Sequence, residues 1–237
     1  MAERKVTEFF GEKAAGTYDE RNRKIRAIND NLHLLIRLVL EDLPEDASIL
    51  CVGVGTGADI LGLADAFPGW RFTGVDPSEH MLAVCKDRMR EHSLLSRCEL
   101  IHGYVGEIPV EPRFDAVLCL LVTQFVKDPS ARLDMFGDMA ARLKLGGFLI
   151  NSEISGDTAS PEFQDMMRAW KAMHRLTGAP EKNLEGMVRA LREHVAVEPP
   201  SVIEGYLRDA GLGMPVRFFQ ALFIRAWYSR KSTGSPA

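Results

Sequence analysis

Between Ile49 and Ile60 the sequence ILCVGVGTGADI passes from an unbroken aliphatic run into three glycines at alternate positions, Gly53, Gly55 and Gly57, and then into a helical apolar period. A short continuous apolar run containing β-branched residues reads as a strand covered on both faces. Glycine has no Cβ, so the turn that follows can take positive φ and lets a ligand approach the backbone beside the free N–H groups of a helix start. In open α/β sheets this turn, at the carboxyl end of the first strand, is where cofactors bind. A tight turn with no ligand is the competing reading of the loop taken alone.

The rest of the chain repeats the same unit. Ile25, Ile28, Leu32, Leu35, Ile36, Val39, Leu40 and Leu43 recur at three and four and predict a helix with one buried face, stopped at Pro44. After the first strand come a helix with Ile60, Leu61, Ala64 and Phe67 inward, a strand RFTGVD ending at Asp76, and a helix from Ser78 to about Glu91. A strand CELIHG, a strand FDAVLCLLV, a helix from Pro129 to Leu143 and a strand GFLINSEI follow. Strand and helix alternating in this way predict a doubly wound, mostly parallel sheet with helices on both faces. Beyond Ile154 the rhythm breaks into two amphipathic helices, one carrying Phe163, Met166, Met167, Trp170 and Met173 and one carrying Leu184, Met187, Val188, Leu191 and Val195. It resumes with SVIEGYLRDAG, a helix closed by Gly211, and VRFFQALFIRAWYSR, which is long enough for an antiparallel hairpin at the sheet edge. The expected organisation is one domain over residues 1–237: a helical N-terminal segment (1–45), a core (46–154), a helical insertion (155–200), the last helix and hairpin (201–231) and a disordered tail (232–237).

Asp76 narrows the reading of the glycine loop. It stands 19 residues beyond Gly57, at the carboxyl tip of the second strand, where a carboxylate can accept both hydroxyls of a ribose. Capping the next helix is the alternative role, although Ser78 can do that itself. GVGTGA also satisfies the loose dinucleotide pattern, so a nicotinamide or flavin cofactor stays open on the loop alone.

Charge and cysteine usage bear on partners. With 29 basic and 33 acidic residues the formal charge is −4, so no global positive field favours nucleic acid or an anionic membrane. Cys51, Cys85, Cys98 and Cys119 show neither zinc-ligand nor disulfide spacing and read as buried free thiols in a reducing compartment, and no metal site is expected. MAERKVTEFF has no apolar leader core and no apolar run approaches the ~18 residues of a membrane span, so a cytoplasmic location is expected.

Taken together, ILCVGVGTG, VDPSEHML, IHGYVGEIP, FDAVLCLLVTQFV and RLKLGGFLINSE, in this order and spacing over about Ser48 to Glu153, resemble the class I S-adenosylmethionine-dependent methyltransferases, and FFQALFIRAWYSRK is similar to their reversed-strand hairpin. The resemblance implies a Rossmann-like seven-stranded sheet with an N-terminal helical flap and a helical lid insertion. It also implies S-adenosyl-L-methionine as cofactor and a small organic molecule as methyl acceptor. By the same resemblance, Gly53, Gly55 and Gly57 line the methionine and ribose, Asp76 takes the ribose hydroxyls, and Pro77 and Met81 flank the adenine. Tyr104 and Val105 lie at the adenine edge, Leu120 offers backbone to the methionine amine, and Tyr18 in GTYDERN resembles the flap tyrosine. Two departures stand out. The acid usual two positions before the first glycine is Cys51, and the acid usual in the adenine-side loop is Tyr104.

A sulfonium methyl is already electrophilic, so the protein must chiefly align an acceptor in a water-poor pocket, with a base needed only for alcohols and protonated amines. Phe163, Met167, Trp170 and Tyr206 are the candidate acceptor-binding residues, set against a plain core role for a helical apolar stripe, and His174 is the candidate base. Arg168, Lys171 and Arg175 read as a solvated face, and His33 has no visible partner. FF…YDERN, QFV and WYSRK also resemble enzymes that make carboxy-S-adenosylmethionine for tRNA wobble-uridine maturation, but no arginine stands out to hold an added carboxylate. The expected function is therefore methyl transfer, the alternatives being that cofactor modification or a non-catalytic cofactor-binding protein. The exposed edge of the hairpin leaves room for a homodimer.

Overall fold

In the computed structural model, which describes residues 24–232, the aliphatic runs become one seven-stranded sheet of order β3-β2-β1-β4-β5-β7-β6. The strands are β1 (Ser48–Val52), β2 (Arg71–Asp76), β3 (Cys98–His102), β4 (Phe114–Leu120), β5 (Leu143–Ile154), β6 (Val216–Ala221) and β7 (Ile224–Arg230). β1 to β5 pair in parallel, and β7 runs antiparallel to both β5 and β6. The order reverses between β1 and β4, which opens the crevice at their carboxyl ends.

The helices are α1 (Arg26–Val39), α2 (Ala58–Ala64), α3 (Glu79–Glu91), α4 (Pro129–Arg142), α5 (Pro161–Leu176), α6 (Glu181–Glu185), α7 (Met187–His194) and α8 (Pro200–Asp209). Alternation along each strand sends residues to opposite faces. Ile49, Cys51, Ala116, Leu118, Phe148 and Ile150 meet α1, α2, α3 and α5 in one buried cluster. Leu50, Val52, Val117, Cys119, Leu149 and Trp227 meet α4 and α8 in the other. The insertion thus roofs the sheet on the α1 side, with Phe163, Met167, Trp170 and Met173 all buried.

Several boundaries differ from the sequence reading. The helix expected to reach Leu43 ends at Val39, and the second insertion helix breaks at Gly186 into α6 and α7. α4 stops at Arg142 because Leu143 already turns to extended backbone and begins β5. β4 stops at Leu120 because Leu121 takes φ +60 and reverses the chain, although the apolar run continues to Val122. Three of the four thiols are buried as expected, and Cys98 is half-buried. Tyr18 and the tail residues 233–237 lie outside the described residues.

Candidate active site

The glycine loop leaves β1 with positive φ at all three glycines: +65 at Gly53, +52 at Gly55 and +83 at Gly57. The reasons differ at each position. A Cβ on Gly53 would come within 2.5 Å of the Val122 side chain, and one on Gly57 within 2.7 Å of Cys85 Sγ, so these two are packed against the protein itself. Beside Gly55 the nearest protein atom to such a Cβ is the Gly53 carbonyl oxygen at 3.9 Å, so the bend there faces open space.

Asp76 closes this bend from β2. Its Oδ2 accepts the Gly55 N–H at 2.9 Å and its Oδ1 the Ser78 N–H at 2.9 Å, which welds the loop to the start of α3. Ser78 does cap α3, its Oγ accepting the Met81 N–H at 3.3 Å, so Asp76 is not the cap. A carboxylate has about four acceptor sites, and each Asp76 oxygen keeps one beyond its backbone bond. Burial raises the Asp76 pKa, opposed by the two backbone N–H groups and by His102. Met81 is buried beneath this point and Pro77 is half-buried.

The adenine-side loop is placed by α4. Arg142, fully buried, donates to the Gly106 carbonyl at 3.1 Å and to the Ile108 carbonyl, while Asp138 holds its other end at 3.0 Å. Glu107 Oε2 accepts the Tyr104 N–H at 2.8 Å, leaving the Tyr104 side chain exposed and Val105 buried. Asp76 and His102 are register partners on β2 and β3, so the glycine loop, Asp76 and the Tyr104–Val105 turn share one end of the sheet.

At the ends of β4 and β5 the site is built from polar groups. The Leu121 N–H donates to the Ser152 carbonyl at 2.8 Å, and Thr123 and Gln124 turn inward and are buried. Glu153 on β5 is fully buried: one oxygen accepts from Thr123 and from Asn151 Nδ2 at 2.8 Å, and the other pairs with Arg132 of α4. Gln124 accepts the Ile154 N–H at 2.6 Å, and its carbonyl takes the Ala196 N–H at 2.8 Å. The segment after α7 is therefore tied to the chain leaving β4.

The four acceptor-side candidates divide between two places. Phe163, Met167 and Trp170 lie together on α5, where Phe163 and Trp170 pack on Phe223 at ring distances of 4.4 and 5.4 Å. Tyr206 lies on the opposite face of the sheet, stacked on Phe136 at 5.8 Å with the Arg132 guanidinium 5.3 Å over its ring. His174, half-buried at the end of α5, meets the Trp170 ring edge-on at 5.1 Å, and burial lowers its pKa, so it is neutral near pH 7. Leu120 ends β4 half-buried beside the crevice. Arg168 and Arg175 pair on the surface with Asp165 and Glu181.

His33, expected to lack a partner, bonds Asp59 at 2.9 Å across α1 and α2. Sequence reasoning missed this pair, and also Arg132, Glu153 and Arg225. The available signal was in the stretch NSEIS, where Asn151 and Glu153, two residues apart, place two polar side chains on one face at the end of the apolar run FLI. Among the described residues no group of three or more His, Cys, Asp or Glu side chains is placed to hold a metal ion, and no helix is long and apolar enough to cross a membrane.

Residues 49–147 match the methyltransferase domain family. The chain is 29% identical over 121 residues to a carboxy-S-adenosyl-L-methionine synthase of Methylococcus capsulatus, covering 50% of each chain. It is 30% identical over 158 residues to a demethylmenaquinone methyltransferase of Bacillus cytotoxicus, covering 66% of this chain and 65% of that one. It thus spans about half the length of the first of these relatives and somewhat under two thirds of the second. Its fold matches the crystal structure of magnesium protoporphyrin IX methyltransferase from Synechocystis, a structure with bound SAH, with a TM-score of 0.69 at 16% identity over 97% of this chain and all of the other.

Proposed function

We propose that this chain, a class I S-adenosylmethionine-dependent methyltransferase by its fold and core sequence, transfers the methyl group of S-adenosyl-L-methionine to a small organic acceptor. The observation that carries the reading is Asp76. A buried carboxylate that bonds the N–H of Gly55, keeps free acceptor sites, and stands beside a bend open on its other side has the donor–acceptor chemistry a ribose requires.

The residues present fit the cofactor. Gly55 leaves room where any side chain would intrude, Asp76 accepts hydroxyls, and the half-buried Pro77 and the exposed Tyr104 ring offer apolar and aromatic surface to a base, with Met81 and Val105 packed beneath. Bound there, the cofactor supplies an electrophilic methyl on a sulfonium. Gly53 and Gly57, packed on Val122 and Cys85, keep the bend rigid, and Leu120 presents backbone at the end of β4. Neither Cys51 nor Tyr104 restores the acid usual at its position. Cys51 is buried, its pKa raised well above normal, and it stays a neutral thiol.

The insertion serves as a lid, with residues 1–45 as a flap. Lys24, the first described residue, lies beside Gly178 just past the end of α5. Phe163, Met167 and Trp170 line the lid's inner face, His174 accepts a proton where the acceptor needs to lose one, and Tyr206 sets the position of Arg132 beneath the site. The protein works in the cytoplasm without nucleic acid or membrane as partner, and the free edge of β6 allows a homodimer.

Calorimetry with S-adenosylhomocysteine tests the reading. One-to-one binding supports it, and no binding at millimolar ligand ends it. Similarity to carboxy-S-adenosyl-L-methionine synthases favours one second reading, conversion of the cofactor's methyl to a carboxymethyl. Mass spectrometry of the ligand released from purified protein separates the two by mass.

A further inference from the structure

Three charged side chains at the carboxyl end of β5, the amino end of β7 beside it and the start of α4 are withdrawn from solvent: Glu153 is 0% exposed, Arg225 6% and Arg132 1%. Two of them are cations and one is an anion. The anion is fully engaged by Arg132, Thr123 and Asn151. Arg225 stands directly across from Glu153 in the antiparallel pairing of β5 and β7 and donates to the Ser155 carbonyl. The nearest carboxylate oxygen paired with it belongs to Glu162, 3.9 Å away on a side chain 73% exposed. The Nε–H groups of Arg132 and Arg225 are both buried, and neither has a partner among the described residues. Glu198 lies near Arg132 without a hydrogen bond to it, and Arg217 adds a further positive charge near Arg225.

Buried charges are ordinarily paired and hydrogen-bonded, since an uncompensated one carries a large desolvation cost. Here two buried guanidiniums stand near one buried carboxylate that only Arg132 contacts, and each retains an unused donor. We infer that this layer is a subsite for a carboxylate on the methyl acceptor, with Arg225 as its principal cation and Arg132 fixed behind it by Glu153. The inference rests on the methyl-transfer reading and names the acceptor's class: an organic acid.

The sheet supplies a scale. β7 lies two strands from β4, and neighbouring strands stand about 4.8 Å apart, so Arg225 starts about 10 Å from the end of β4. That spacing suits an acid whose reacting atom and carboxylate are several bonds apart. Phe223, two residues before Arg225 and packed on Phe163 and Trp170, sets an aromatic cluster beside the subsite for the acid's apolar body.

The test is calorimetry on the full chain, with and without saturating S-adenosylhomocysteine, using benzoate, 3-phenylpropionate and hexanoate, each against its uncharged amide. The expected result is acids binding at least about tenfold tighter than amides, the ratio that one charge-assisted hydrogen bond supplies. Arg225→Gln keeps an N–H for the Ser155 carbonyl and removes the charge. It should bring the ratio near one while leaving S-adenosylhomocysteine affinity unchanged, and Arg225→Met gives the same readout if the glutamine variant does not fold. Equal binding of acid and amide by the native chain, a preference that survives both variants, or phenyl phosphate binding tighter than benzoate would overturn the inference. Failure to bind S-adenosylhomocysteine would instead sink the methyl-transfer reading and leave the acid-to-amide ratio measurable without it.

Discussion

The two halves of the sheet solve the problem of a site at strand ends by opposite means. Under the glycine loop, β1 and β2 are buried along all but their first residues, and one buried carboxylate, Asp76, gathers the loop and the start of α3 through backbone N–H groups. In the other half, the turn after β4, the start of α4 and the neighbouring ends of β5 and β7 hold Thr123, Gln124, Arg132, Asn151, Glu153 and Arg225, side chains that bind mostly one another. Backbone geometry shapes the first half, so a few glycines and one acid suffice there. The second depends on side-chain identity, and that is where substrates of different chemistry can be accommodated on one fold.

The comparison can be broken by mutation, and the strongest test lies in the β4–β5–β7 half. Glu153→Gln leaves Arg132 buried without a counter-charge, which typically costs about 3–5 kcal/mol, to be read from denaturant unfolding. Replacing Arg132 and Glu153 together by methionine should recover much of that loss. S-adenosylhomocysteine affinity should change little in the double variant if the halves are separable.

Asp76→Ala should weaken S-adenosylhomocysteine about 100-fold, roughly two charge-assisted hydrogen bonds lost, by calorimetry. Its pH dependence has two signs. Ribose hydroxyls donate to the ionised carboxylate, so binding should fall in acid, and because burial raises the Asp76 pKa the fall begins above the ordinary aspartate value of about 3.9. In the unliganded protein a raised folded pKa means the opposite. This group's contribution to stability is fully present below the unfolded pKa and is lost as pH rises through the folded one.

The glycines separate packing from ligand space. Gly57→Ala drives a methyl into Cys85 and Met89 and should cost stability by about 1–3 kcal/mol in thermal unfolding, as overpacking does. Gly55→Ala meets no such wall, so beyond the strain of its positive φ, about 1–2 kcal/mol, its added effect should appear as an approximately tenfold loss of ligand affinity. The smallest effect belongs to Arg168→Ala, on an exposed pair with Asp165, which should stay within about 0.5 kcal/mol in stability and leave binding unchanged.

These contrasts track what was legible in the sequence. The succession of strands along the chain and the glycine loop followed from aliphatic runs and punctuation, because buried parallel strands and βα turns leave local signatures. Asp76 was visible for the same reason, as a carboxylate at a strand tip a fixed distance from the loop. The β4–β5–β7 half was not. Arg132 sits in a helix with charged neighbours, Arg225 in a hairpin and Glu153 in a strand, and only tertiary packing brings them together, 21 residues separating Arg132 from Glu153. Tyr206 looked inward on its helix, and it is, but toward α4 and not toward the α5 aromatics. The His33–Asp59 pair spans 26 residues and two helices, with nothing local to announce it.

That pair does not act alone. Arg37 donates to the Gly62 carbonyl at 2.7 Å, and any Cβ at Gly62 would sit 2.8 Å from the His33 ring. α1 and α2 are therefore coupled as a lever to its fulcrum: a tilt of the helix that follows the first 23 residues is delivered, through one imidazole and one guanidinium, to the stretch immediately after the glycines.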